Sequence, residues 1–399
     1  LGIKKKIGLF LNSIPSEGGV FQYSRSLLEA MASLPQESFE LRTAYTSQDW
    51  AKVLAGYPMQ TLQFRHALWK YASGRLFCSF LPVKVWRAFF LHVHSVKTSI
   101  IGQHCDLWIF PAQDTWAYLI PVPALGTIHD LMHRYESRFP EVSSRGEYRK
   151  RERHFRNTCR WARAILVDSE IGKRQVTESY GVDSARIYVL PFTPPTFPRV
   201  ELPSDASNPI PRLPSKYFFY PAQFWEHKNH KSLVKAAALL RQETPDLKVV
   251  LTGSPKNAYA STTALIEKLH MEKYFQFLGY VPQRCMPELY RRARALIMPT
   301  FFGPTNIPPL EAAAVGCPVA VSDIYGMREQ MGDAALYFDP SSPSDIAHVM
   351  QRLWESDDLC KELSKKALIH SLHCGQDQFN KRFCHILQQI LLPHRLGGS

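Results

Sequence analysis

Two successive series of short apolar runs, each run followed by a helix-length stretch, constrain this chain more than any other feature. In the first series IGLFLN (7–12) gives way to a Gly-Gly turn. FQYSRSLLEAMASL follows, with Phe21, Ser24, Leu27, Leu28 and Met31 at helical spacing. LWIF (107–110), ALGTIHD (124–130), AILVDS (164–169) and RIYVLPF (186–192) continue the series. Strand-length runs separated by helix-length segments are the pattern of parallel βαβ units. The alternation then stops. Pro194, Pro195, Pro198, Pro203, Pro209 and Pro211 crowd the stretch between Pro191 and Pro214, a density that continues neither a helix nor a central strand. Beyond it YFFYPA (217–222), KVVLTG (248–253), FQFLGYV (275–281), ALIMPT (295–300) and PVAVSD (318–323) restart the rhythm. Two open α/β halves joined by a proline-rich hinge are expected. In such sheets ligands bind beyond the carboxyl ends of the strands, which makes a cleft between the halves the expected site.

Composition narrows the classes further. A 399-residue chain with 45% hydrophobic and 21% charged residues is neither disordered nor fibrous, and its length suits two domains. No apolar run approaches the ~18 residues of a membrane span. Lys4, Lys5 and Lys6 precede an apolar run that Asn12 ends, too short for a signal peptide, so a buried first strand is expected. No Met opens the chain, which suggests a longer gene product. The eight cysteines are scattered without a C-x-x-C pair, so neither a disulfide framework nor a zinc ribbon is indicated and the cytoplasm is the expected compartment.

Formal net charge is +13, which suits anionic partners. Nucleic-acid motifs are absent. Basic residues concentrate at Arg145–Arg163, read as a solvated helix face, and at Phe64–Lys97. In the second stretch Arg65, Lys70, Arg75, Lys84, Arg87 and Lys97 alternate with bulky aromatics. That mixture fits either an interfacial helix on an anionic membrane surface or ordinary core with snorkelling cations.

Chemistry concentrates in FFGPTNIPPLEAAAVGCPVAVSD, Phe301 to Asp323. Pro308 and Pro309 open a helix that Gly316 closes, and unpaired backbone N–H groups at such a start suit a diphosphate. Glu311 is expected in the first turn, where it either offsets the helix dipole or accepts hydrogen bonds from a vicinal diol such as a ribose.

This segment resembles the donor-binding signature of family 4 retaining glycosyltransferases of the GT-B fold, most closely from Ile307 to Val319. YPAQFWEHKNHKSLVKA resembles the family's strand, loop, lysine and helix, and KVVLTGS its glycine-ended strand. SIPSEGGVFQYSRSLLEA resembles the glycine pair opening the first helix, GTIHDLMHRYESRFPE the His-Asp loop, and ILVDSEIGKRQVTESYGVDSARIYVLPF the segment leading to the hinge. The resemblance runs in order over about residues 3–392.

What it implies is specific. The fold is two Rossmann-like doubly wound domains, 1–193 on the acceptor side and 217–376 on the donor side. A hinge at 194–216 joins them, and a last helix within 377–399 returns to the first domain. Gly18 and Gly19 let backbone approach the pyrophosphate. Lys228 neutralises the leaving diphosphate, Glu311 holds the ribose and His129 contacts the donor sugar. Backbone near Gly253 and Val281 selects the base, and Thr305, Asn306 and Ile307 face the sugar or its phosphates. His129 and His133 are four apart, but the resemblance places His129 at a strand end and implies no metal and no cofactor. A GDP- or UDP-linked sugar is then the donor substrate, and a glycan or lipid-linked hydroxyl the acceptor.

Three features depart from the family. Gly303 stands where the signature has its first acid, Gln223 where it has an arginine, and FGPTN (302–306) replaces G-F-G between the signature's two acids. Two rival readings stay open: a GT-B nucleotide-sugar 2-epimerase, and a non-catalytic subunit that kept the nucleotide pocket. The expected protein is a retaining, metal-independent hexosyltransferase of surface polysaccharide assembly, cytoplasmic and peripheral on an anionic membrane face.

Overall fold

A computed structural model describes residues 4–15, 18–64, 81–195, 197 and 212–391. Its contacts divide the chain into two units. One comprises 1–131, 149–191 and 376–399; the other comprises 132–148 and 192–375. Part of the proline-rich hinge (196 and 198–211) and the aromatic-basic residues 65–80 lie outside the described residues.

The first unit is built on seven parallel strands: β1 (Lys5–Leu11), β2 (Phe39–Tyr45), β3 (Gln60–Gln63), β4 (Leu107–Phe110), β5 (Ala124–Thr127), β6 (Ala164–Val167) and β7 (Ile187–Val189). They lie in the order β3-β2-β1-β4-β5-β6-β7. The second unit carries β8 (Phe218–Pro221), β9 (Val249–Thr252), β10 (Phe275–Phe277), β11 (Ala295–Met298), β12 (Val319–Ser322) and β13 (Leu336–Phe338), ordered β10-β9-β8-β11-β12-β13. Both are doubly wound sheets in which strand order reverses beside the first strand. The switch points therefore fall at β1/β4 and at β8/β11.

Central strands are buried on both faces, which is why they read as unbroken apolar runs. All four residues of β4, β5, β6, β9, β11 and β12 are buried. All ten apolar runs named from the sequence contain strands. The three that were not named, FELRTAY, QTLQ and LYF, lie at or next to sheet edges, where one face meets solvent and polar residues interrupt the pattern. Asp106 pins the start of β1, accepting from the Lys6 amide (2.8 Å) and the Lys5 ammonium (3.2 Å). The helix Gln376–Leu391 belongs to the first unit. There the Gln376 side chain donates to the Ser26 carbonyl (2.9 Å), and Phe379 meets Tyr23 edge to face.

The described part of the aromatic-basic stretch, 64 and 81–97, holds both buried and exposed aromatics. Phe64 and Phe90 are core, whereas Phe89 is half exposed. In β1, Gly8 lies against the fully buried Trp108; a Cβ there would stand 2.3 Å from the indole. Overpacking of this kind costs about 1–3 kcal/mol. Gly8→Val should therefore lower the urea midpoint of the first unit, while Gly56→Ala, whose added Cβ meets only a carbonyl at 3.8 Å, should leave it unchanged.

Candidate functional site

The second unit's switch point is formed by the loops that leave β8 and β11. Backbone hydrogen bonds join them: the His227 carbonyl accepts from the Phe301 amide (2.7 Å) and the Thr300 hydroxyl (3.2 Å). Buried Asn229, at φ 58°, donates its amide to the Pro299 (2.9 Å) and Pro340 (2.8 Å) carbonyls. Between these anchors Lys228 ends the short turn Glu226–Lys228, and its own carbonyl accepts from the Tyr220 hydroxyl (2.8 Å). Its ammonium donates to Asn306 Oδ1 at 3.4 Å.

Asn306 precedes the helix Ile307–Ala314 and is 8% exposed. Gln330 grips its backbone on both sides, accepting from the Asn306 amide (2.9 Å) and donating to its carbonyl (2.7 Å). The missing acid now has a physical explanation. Gly303 sits at φ 134°, and a Cβ on it would lie 2.4 Å from Asn306 Nδ2. The Asn306 amide fills the space a side chain at 303 would take, and its oxygen faces the lysine in place of a carboxylate. Thr305 is buried beside it, and Gly326 lies close against the Pro304 carbonyl.

Glu311 is the fifth residue of its helix, and no acid occupies the first turn, which corrects the sequence expectation. A residue one turn inside a helix gains little from its dipole, so dipole compensation is a weak account of it. The carboxylate is 7% exposed. Oε2 accepts from the Tyr290 hydroxyl at 2.7 Å and Oε1 from the Gln283 amide at 3.1 Å. Burial raises its pKa, and those two hydrogen bonds oppose the rise. Each oxygen keeps a second lone pair for a ligand hydroxyl. Gly316 ends the helix at φ 73° with the Cys317 amide on the Ala312 carbonyl, as a left-handed helix stop requires.

Gln223 and Gly253 form a second contact at this end of the sheet. At φ 130°, a Cβ on Gly253 would stand 2.2 Å from the Ala222 carbonyl and 2.8 Å from the Gln223 amide. Only glycine lets the β9 loop lie so close to the β8 loop. Its amide donates to the Gly279 carbonyl (2.8 Å), which brings the half-buried Val281 segment alongside. The Gln223 side chain does not point a charge anywhere; its Oε1 accepts from Trp225 Nε1 at 2.9 Å.

In the first unit, Gly18 and Gly19 follow β1 at that sheet's own switch point. Gly18 adopts φ 59° and precedes the helix Gly19–Ala32; both glycines are exposed. His129 lies in the loop after β5, with its Nε2 3.0 Å from the Pro111 carbonyl and the Tyr23 ring edge-on at 5.0 Å. Burial lowers its pKa to about 4, against the raising effects of Pro111 and Asp130. The imidazole is therefore neutral at physiological pH, with the proton assigned to Nε2 by the carbonyl it meets. His133 sits in the separate helix Met132–Tyr135, so the i, i+4 spacing of the two histidines is not realised on one helix face. Among the described residues no group of three or more His, Cys, Asp or Glu could hold a metal ion.

One element of the second unit was not legible in sequence. Glu141 Oε1 accepts from both the backbone amide (3.1 Å) and Nδ1 (2.6 Å) of His227, and Oε2 accepts from Asn257 (2.9 Å). It fixes the residue preceding Lys228 from 86 positions away. No local motif could have revealed this, because all three partners are distant in sequence. Burial opposes ionisation of Glu141, but the His227 and Asn257 hydrogen bonds outweigh it and bring its pKa to about 2. A depressed carboxyl pKa stabilises the fold above its unfolded value near 4.5, and the contribution fades as pH falls toward 2. Wild-type thermal stability should accordingly drop between pH 4.5 and 2.5 by more than that of Glu141→Gln, whose stability is already lower at pH 7.

Comparison with known proteins follows the same residues. The chain matches the model of glycosyltransferase family 4 over residues 18–192 and that of glycosyl transferases group 1 over residues 206–369. It is 27% identical to the O-antigen chain mannosyltransferase B of Escherichia coli over 259 residues, covering 60% of this chain and 63% of that protein. It is 24% identical to the D-inositol 3-phosphate glycosyltransferase of Paenarthrobacter aurescens over 266 residues, 64% of each. The chain thus spans less than two thirds of the length of these curated relatives. Among solved structures, a glycosyltransferase from Rickettsia africae shares the fold with a TM-score of 0.68 at 15% identity, covering 98% of this chain and 99% of that one. With two family models matched in order along the chain and two doubly wound sheets built as that fold requires, the chain belongs to the family 4, group 1 glycosyltransferases of the GT-B fold.

Proposed function

We propose that this protein transfers a hexose, with retention and without a metal, from a nucleotide diphosphate sugar to a hydroxyl of a glycan or lipid-linked acceptor in surface polysaccharide assembly. The observation that carries the reading is the held cation. Lys228, on the β8 loop, donates to Asn306 at the cap of the helix Ile307–Ala314, whose first turn keeps the Ile307 amide for phosphate oxygens, Pro308 and Pro309 having none. In the reaction the bond between the anomeric carbon and the diphosphate oxygen breaks, and negative charge grows on the departing group. A preplaced ammonium stabilises that charge more than it stabilises the bound donor. The acceptor oxygen bonds the same face of the anomeric carbon, and its proton passes to the departing diphosphate.

Glu311 fits the ribose diol. Neutral His129 and the Asn306 amide fit hydroxyls of the sugar. An amide does not stabilise the positive charge that develops on the sugar as a carboxylate would, so that task falls to the leaving diphosphate itself. A mannosyl donor is the first to try, because the E. coli relative bears a mannosyltransferase name.

Gly303 also supports a second reading, a nucleotide-binding subunit without turnover, since no carboxylate can stand there while Asn306 does. Incubation with GDP-mannose, or a UDP-hexose, and a glycan primer distinguishes the two. Release of GDP or UDP with a lengthened primer supports transfer; nucleotide binding without donor consumption supports the subunit.

Two substitutions refine the roles. Glu311→Gln should weaken binding of the free nucleotide by about 1.5–3 kcal/mol, the range for hydrogen bonds to a charged group, as read by calorimetry. Lys228→Ala should reduce kcat by a larger factor than it raises the donor Kd; equal losses would mark uniform binding instead.

A further inference from the structure

Residues 132–148 lie between β5 and β6 in the chain, yet they pack with the second unit. Met132, Phe139 and Val142 are buried together with Phe302. The Phe139 ring tilts against Phe301 at 5.7 Å, and the Arg138 guanidinium lies over those two rings at 4.8 and 4.7 Å. The Tyr325 hydroxyl donates to Glu136 Oε1 at 3.0 Å. The segment is thus anchored on the loops that follow β11 and β12, and from that anchorage it presents Glu141.

Glu141 meets the loops that follow β8 and β9. Its Oε1 takes both the backbone amide and Nδ1 of His227, and its Oε2 takes Asn257 Nδ2. An ionised carboxylate only accepts, so His227 Nδ1 carries a proton. Asn257 Oδ1 in turn accepts from the Glu226 backbone amide at 3.0 Å. Two consecutive backbone amides of the turn Glu226–Lys228 are therefore taken by side chains from other segments, and those two side chains are bonded to each other. The third amide of the turn, that of Lys228, donates to the Trp225 carbonyl at 3.0 Å.

We propose that Glu141 and Asn257 are positioning residues for Lys228: together they hold its turn so that the ammonium meets the diphosphate of the nucleotide. Their role rests on the leaving-group reading of Lys228 under the proposed function. The bond between them has a polarity that can be exchanged. Glu141→Gln alone sets an amide against the Asn257 amide, donor against donor, and Asn257→Asp alone sets carboxylate against carboxylate. Together the two substitutions restore the bond with donor and acceptor exchanged. The amide at 141 then donates to the carboxylate at 257, whose second oxygen still accepts from the Glu226 amide.

A free nucleoside diphosphate carries the charge that grows on the leaving group, so its affinity reads the placement of the ammonium. Calorimetry with GDP and UDP, below the unfolding transition of every variant, provides the test. Glu141→Gln should weaken binding of whichever nucleotide wild type binds by about tenfold, the loss of about one hydrogen bond to a charged group. Asn257→Asp should weaken it as well, and the double variant should return to within about threefold of wild type. Lys228→Ala separates positioning from general damage to the fold. Added to Lys228→Ala, Glu141→Gln should change the affinity by less than about twofold, whereas damage to the fold would multiply the two losses. Asn257→Asp, at an exposed side chain, gives the same comparison if Glu141→Gln lowers stability too far. Wild type that binds neither GDP nor UDP would overturn the transferase reading and this role with it. With wild type binding one of them, three results would each overturn the positioning role alone: single variants that bind as tightly, no recovery in the double variant, or the full loss repeated on Lys228→Ala.

Discussion

The pairing of β8 with β11 is the constraint on which the second unit's site depends. These strands are 74 or more residues apart in sequence yet register Phe218 against Ala295 and Phe219 against Leu296. Their following segments leave toward opposite sides, and the backbone beyond their ends has to find partners in the crevice that opens. It does so through the His227 carbonyl and the Asn229 amide. Those bonds set the position of the Lys228 backbone between its two neighbours.

Around that lysine the charges follow from packing. A side chain at 303 would need the space that the Asn306 side chain occupies, and Gln330 holds the backbone of Asn306 by both its N–H and its carbonyl. The replacement of an acid by glycine is therefore coupled to the amide three residues later, so the two positions form one structural unit. Glu311 keeps its carboxyl group in a buried setting because Tyr290 and Gln283 satisfy it. Glu141 acts from further away by holding His227, so the loop carrying the lysine is braced from both sides.

The first unit distributes its aromatic residues differently. Trp108, Phe110 and Phe90 fill the core between sheet and helices, while the neighbouring Phe89 and Val85 are about half exposed. Lys84, Arg153, Arg156 and Arg160 line one cavity because tertiary packing brings together two helices 57 or more residues apart.

The sequence by itself determined the two-sheet architecture, because strands buried on both faces must be written as continuous apolar runs. It also placed Lys228 and Gly253 in the loops after strands and Gly18 just before a helix, since such positions follow from short-range spacing. The edge strands FELRTAY and LYF escaped it, as one-sided burial leaves no such run. The first-turn placement of Glu311 was off because two prolines opened the helix a residue earlier than their position suggested. Only the tertiary structure decided that Asn306 fills the space at Gly303, that Glu141 braces His227, and that Arg153 and Arg160 share a cavity with Lys84. Each of these joins side chains by packing or hydrogen bonding across elements. Such contacts depend on which surfaces the fold brings together, and no local pattern of residues encodes that.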